Sequence, residues 1–93
     1  MTDEQRLELG AAARELILSD PYVIAMRALE AQHVHGMINS EEGHYGVQDR
    51  ETHNRMLHAM RALAGELAGY VATATEISTR LSLEGDDEED DIT

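Results

Sequence analysis

Eight apolar residues, Met56, Met60, Leu63, Leu67, Tyr70, Ala74, Ile77 and Leu81, follow one another at alternating steps of four and three. That alternation averages about 3.5 residues per turn, the period of a helix whose seam always faces a partner. No proline interrupts it. A helix over residues 50–83 would be about 51 Å long, at 1.5 Å rise per residue. A globule of 93 residues has a radius of gyration of only about 12–13 Å. The pattern therefore predicts helix–helix assembly, with these eight residues as the interface between copies, in place of pocket chemistry.

The opposite side of the same helix carries Ala62, Gly65, Ala68, Gly69, Ala72, Thr75 and Thr79. A simple two-stranded coil would place charges there to face water. Each glycine inside a helix costs up to about 1 kcal/mol relative to alanine. Small residues let another helix approach closely. Ala62, Gly65, Gly69 and Ala72 therefore mark a second packing face, as in a ring or layered bundle, against the alternative of a weakly polar exposed face.

Two further helices precede this one. Thr2 and Gln5 form a capping-box start, which predicts a first helix over 3–18 with Leu9, Ala13, Leu16 and Ile17 on its buried side. Ser19-Asp20-Pro21 ends that helix and begins a second, over 21–37, since proline suits the first turn. The second helix has two usable stripes: Tyr22, Met26, Leu29 and His33, and Ile24, Ala28, Ala31, His35 and Ile38. Apolar residues on both faces predict burial between neighbours. Asn39 to Asp49, with two glycines, reads as the one internal loop, and Asp49 as the cap of the third helix over 50–83. There is no alternating β pattern. The expected fold is all-α: three helices, the third long and heptad-patterned, packing as a helical hairpin or bundle.

Charge divides the chain into a helical domain, residues 1–83, and an acidic tail, residues 84–93. The domain carries twelve acids against seven arginines, a net −5; the tail carries seven acids and no base, which brings the chain to −12. Such a block repels itself and buries too little apolar area to offset its ordering entropy, so a solvated, disordered tail is expected. Asp86, Asp87, Glu88, Glu89, Asp90 and Asp91 would either keep the protein soluble or dock on a basic protein surface. The arginines are scattered and there is no lysine, so no basic stripe exists for a single subunit to hold nucleic acid directly.

Chemistry finds little support. Without cysteine there are no disulfides or thiolate metal sites. Glu30-x-x-His33 and Glu41-x-x-His44 have the spacing of carboxylate–histidine metal ligands on helices. The second straddles Gly43, however, and Glu66 and Glu76 lie off the seam. His33 and His35 fall on different sides of a helix, and His53 and His58 are five apart, beyond metal-binding i,i+4 spacing. His53 continues the seam one step before Met56; one reading is that in a symmetric oligomer it meets its own copies, which protonation would repel, and the other is a solvated histidine at a frayed helix start. No serine elbow, phosphate loop or dinucleotide fingerprint is present. The expectation is a non-enzyme with no catalytic residue, cofactor or metal ligand. The N-terminus lacks a signal-peptide pattern, and no stretch reaches the 18 or so apolar residues of a membrane span; a cytoplasmic location is expected.

The run Ala13-Arg14-Glu15-Leu16-Ile17-Leu18-Ser19-Asp20-Pro21, then Met26-Arg27-Ala28-Leu29-Glu30, then Asp49-Arg50-Glu51-Thr52 leading into Leu57-His58-Ala59-Met60-Arg61-Ala62-Leu63, resembles small helical proteins encoded in the head-assembly and DNA-packaging gene clusters of tailed bacteriophages. The likeness is one of layout over roughly residues 12–67 and includes no catalytic signature; the histidine-rich stretch from His33 to His44 departs from it. The resemblance implies a homo-oligomeric virion or packaging component, partnered by other phage head or packaging proteins, in the host cytoplasm or the virion. One alternative is a small terminase-like packaging adaptor, although the helix-turn-helix arm of those subunits is missing. Another, from the acidity, is an inhibitor that mimics DNA and occupies a host nucleic-acid-binding protein.

Overall fold

The computed structural model describes residues 1–40 and 43–92, with side chains for all of these except 44, 45 and 86–92. Three helices make up the fold: α1 (Asp3–Leu18), α2 (Asp20–Ile38) and α3 (His44–Ile92). Among the described residues there is no strand. The all-α class with a long third helix is therefore as the periodicity requires.

Local chemistry sets the helix ends. At α1 the capping box forms in full: Gln5 N–H donates to Thr2 Oγ1 (3.1 Å), and Thr2 N–H donates to Gln5 Oε1 (2.8 Å), satisfying two donors that the helix start leaves open. Ser19, extended at φ −72° and ψ 141°, separates α1 from α2, and Pro21 follows in the first turn of α2. Asn39 closes α2. Its backbone N–H (3.0 Å) and its side-chain amide (2.8 Å) both donate to the carbonyl of His35.

The loop is shorter than the expected Asn39–Asp49. Gly43 alone adopts a positive φ of 100° among the described residues, a conformation that costs glycine no Cβ clash. Val47 N–H then donates to the Gly43 carbonyl at 3.0 Å, so the helix begins six residues before the expected start. A single interior Gly46, which costs about 1 kcal/mol, does not stop it. Asp49 consequently lies inside α3 and is not its N-cap. Its carboxylate is engaged elsewhere.

The chain divides into two compact units, one of Met1–Leu16 with α3 from Glu66 onward, the other Ile17–Gly65. In the first, α1 approaches α3 closely at Gly10. A Cβ there would stand 2.2 Å from the Ala74 Cβ and 2.8 Å from the Tyr70 carbonyl oxygen. This approach turns α1 toward Gly10, so Ala13 is buried while Leu16, expected inward, is exposed. Ile77 is 6% exposed, and Leu67, Tyr70, Val71 and Ala74 are half-buried. Asp3 pairs with Arg80 and, at 3.4 Å, with Arg6. Both pairs are solvent-exposed, where such contacts contribute little.

In the second unit, α2 lies against the first part of α3. Tyr22, Met26, His33, Gly36 and Met37 turn inward, as do His53, Leu57, Met60 and Ala64. Leu57 is 7% exposed. Of the two α2 stripes, one is covered within the chain except at Leu29, which is 41% exposed; in the other, Ile24, Ala28, Ala31, His35 and Ile38 are all exposed. The buried apolar side chains among the described residues are Ala13, Leu57 and Ile77, at 4%, 7% and 6% exposed, and none of them is fully enclosed. That is a thin core for a chain of this length, well short of what normally stabilises a lone domain.

Candidate functional site

The seam meets two different fates. Ile77 is buried, and Met60, Leu67, Tyr70 and Ala74 are half-buried, by contacts within the chain. Met56, Leu63 and Leu81 are exposed, Leu63 at 51%. In the Ile17–Gly65 unit the covered row of α3 runs His53, Leu57, Met60, Ala64. It keeps the 4-3 rhythm but stands one residue beyond Met56 and Leu63. Sequence reasoning missed Leu57 and Ala64 because Met56 and Leu57, like Leu63 and Ala64, offer adjacent apolar choices to the same period. What selects between them is the close approach of α2.

Exposed apolar side chains therefore gather on this unit. Ile24 (66%) and Ile38 (77%) project from the uncovered stripe of α2, with Leu29 and Val34 partly exposed beside them, and Met56 and Leu63 are exposed on α3. The small-residue row Ala62, Gly65, Gly69 and Ala72 is also exposed, and a Cβ built on Gly65 or Gly69 meets nothing within 4 Å. The acidic residues Asp86, Asp87, Glu88, Glu89, Asp90 and Asp91, expected to be a solvated tail, have side chains outside those described.

The histidines sort as their helical positions require. His35 is exposed and accepts from the Asn39 amide at 3.1 Å. His33 is buried and meets His53 across the α2–α3 contact, Nδ1 to Nδ1 at 2.9 Å, with ring centroids 5.2 Å apart. His53 thus faces a histidine of its own chain. Its Nε2 lies 3.6 Å from Asp49 Oδ1. The Ser40 hydroxyl stands 3.1 Å from Asp49 Oδ2 and 2.7 Å from the Gly36 carbonyl. Gly36 makes room for this: a Cβ there would sit 2.3 Å from His53 Nε2.

Among the described residues this cluster has two imidazoles, one carboxylate behind the second ring, and no third ligand facing the Nδ1 atoms. Among the described residues, no group of three or more histidine, aspartate or glutamate side chains is placed to hold a metal ion. Of the two Glu-x-x-His spacings, Glu30 lines a cleft of about 130 Å³ with Met26, Leu57, Met60, Arg61 and Ala64; the second falls on Glu41 and His44, outside the described side chains. Along the α1–α3 contact, an open groove of about 360 Å³ is lined mainly by small and hydroxyl residues, with Arg14 its one charged group. No helix among the described residues is long and apolar enough to cross a membrane.

No model of a known protein family, no curated protein and no solved structure matches the chain.

Proposed function

We propose that this chain is a non-enzymatic, self-assembling helical protein, a structural component of the virion or packaging apparatus of a tailed phage. The observation that carries the self-assembly is the apolar surface left open on the Ile17–Gly65 unit, above all Ile24, Ile38, Met56 and Leu63. Isolated exposed apolar residues are ordinary on protein surfaces. A whole helical stripe together with seam residues, on a chain whose described residues include only three buried apolar side chains, instead favours burial against another copy. The phage setting rests on the layout resemblance of residues 12–67, and places the protein in the host cytoplasm or the virion beside other head or packaging proteins. A terminase-like packaging adaptor is a narrower version of this reading. The second class, an acidic inhibitor of a nucleic-acid-binding protein, draws on the net charge of −12, although only −5 of it belongs to residues 1–83.

Assembly that completes the core couples stability to concentration. Anything that binds only the folded state raises its stability by mass action. The midpoint of thermal unfolding is therefore expected to climb by several degrees as protein concentration is raised a hundredfold from the low micromolar range, read by circular dichroism. A midpoint that does not move with concentration counts against self-assembly.

A further inference from the structure

The assembly reading makes no use of His33 and His53, which join α2 to α3 inside one unit. We propose that this pair is a proton-sensitive clasp, closed with at most one added proton and opened by the second. At 2.9 Å between the two Nδ1 atoms, the contact is an N–H···N hydrogen bond. One Nδ1 must carry hydrogen and the other must be bare. Whichever ring donates, that ring can take one extra proton on its Nε2 and leave the bond intact. A second must land on the accepting Nδ1, where two N–H groups then point at each other between two positive rings.

The surroundings convert that clash into helix separation. His33 is 9% exposed, so water does little to screen it. On the α3 side, Asp49 stands 3.6 Å from His53 Nε2; it can offset one imidazolium, not two. Among the described residues, the other charged groups a turn away along these helices are Glu30 before His33 on α2 and Arg50 before His53 on α3. The His53 ring is packed against the backbone at Gly36, where even a methyl would overlap it, so it has no room to turn further toward α2. Relief comes when α2 leaves α3, which uncovers Met26, Met37, Leu57 and Met60.

The direction of the pH effect follows from counting protons. Freed of the contact, the pair can bind two added protons; with the Nδ1–Nδ1 hydrogen bond closed it can bind only one. Stability is therefore lost as the pH falls, because the open state binds more protons than the closed one. The closed-to-open ratio should drop about tenfold per pH unit for this one-proton difference.

The test is urea denaturation of the full chain, followed by circular dichroism from pH 8 to pH 5, on wild type, His53→Asn and the control His35→Asn. Asparagine keeps a donor and an acceptor near the Nδ1 position but does not titrate. Between about pH 6 and pH 5, wild type and His35→Asn are expected to lose about ten times more stability, as an equilibrium constant, than His53→Asn. Equal pH slopes in wild type and His53→Asn overturn the proposal. Should His53→Asn fail to fold, histidine ¹H–¹⁵N spectra of wild type decide. Both rings fully protonated while the α2 amides stay protected from exchange overturns it; loss of α2 protection together with the second proton supports it. All samples are compared at one protein concentration, so failure here leaves the assembly reading standing, and the reverse also holds.

Discussion

Gly10→Leu is expected to detach α1 from α3 and lower the stability of that unit by about 2–3 kcal/mol, the upper range for overpacking a close contact. The propensity scale points the other way, since leucine is a better helix former than glycine by somewhat under about 1 kcal/mol. Distance decides between them. Even a Cβ at this position would stand 2.2 Å from one side chain and 2.8 Å from a backbone oxygen, and a backbone atom yields only if the helix moves. The control is Gly65→Leu, where nothing lies within 4 Å; it is expected to leave the folded unit intact. Urea denaturation of both variants, followed by helical circular dichroism, gives the comparison. A Gly10→Leu protein as stable as wild type means that the α1–α3 contact is absent in solution.

Ile24→Glu and Leu63→Glu are each expected to weaken self-association by a factor of about a hundred to a thousand without loss of helicity. Both side chains are exposed in the single chain, Ile24 at 66% and Leu63 at 51%, so a charge at either costs the isolated fold little. Buried in an interface without a partner, the same charge costs several kcal/mol, and each 1.4 kcal/mol or so is a factor of ten in affinity. Leu67, although it belongs to the same heptad repeat, is a poorer probe because it is already half-buried within the chain. A charge there would mix loss of fold with loss of assembly. Light scattering of the two glutamate variants separates the outcomes: unchanged mass for both places the interface elsewhere.

Elements bounded by local chemistry were legible from residues alone. Thr2 and Gln5 bond as a capping box requires, and Ser19-Asp20-Pro21 separates two helices as proline geometry demands. Where boundaries depend on a weak signal the reading slipped. Gly46 and the polar residues around it looked like loop, but one glycine is a small penalty once Gly43 has made the turn. The candidate surface was legible only in part. The heptad period identifies the apolar side of α3 to within one residue, and within that tolerance Met56 competes with Leu57 and Leu63 with Ala64. The choice depends on how near α2 can come, which Gly36 decides through its contact with His53. Nothing in a linear spacing announces that His33 and His53, twenty residues apart, share a hydrogen bond.

The central claim is that this fold leaves its apolar surface for another copy of itself to cover. Sedimentation equilibrium of the wild-type protein at micromolar concentration measures this directly, because the buoyant mass does not depend on shape. The expected result is a mass of at least twice the 10.3 kDa of one chain. A single species at 10.3 kDa that still unfolds cooperatively would contradict it.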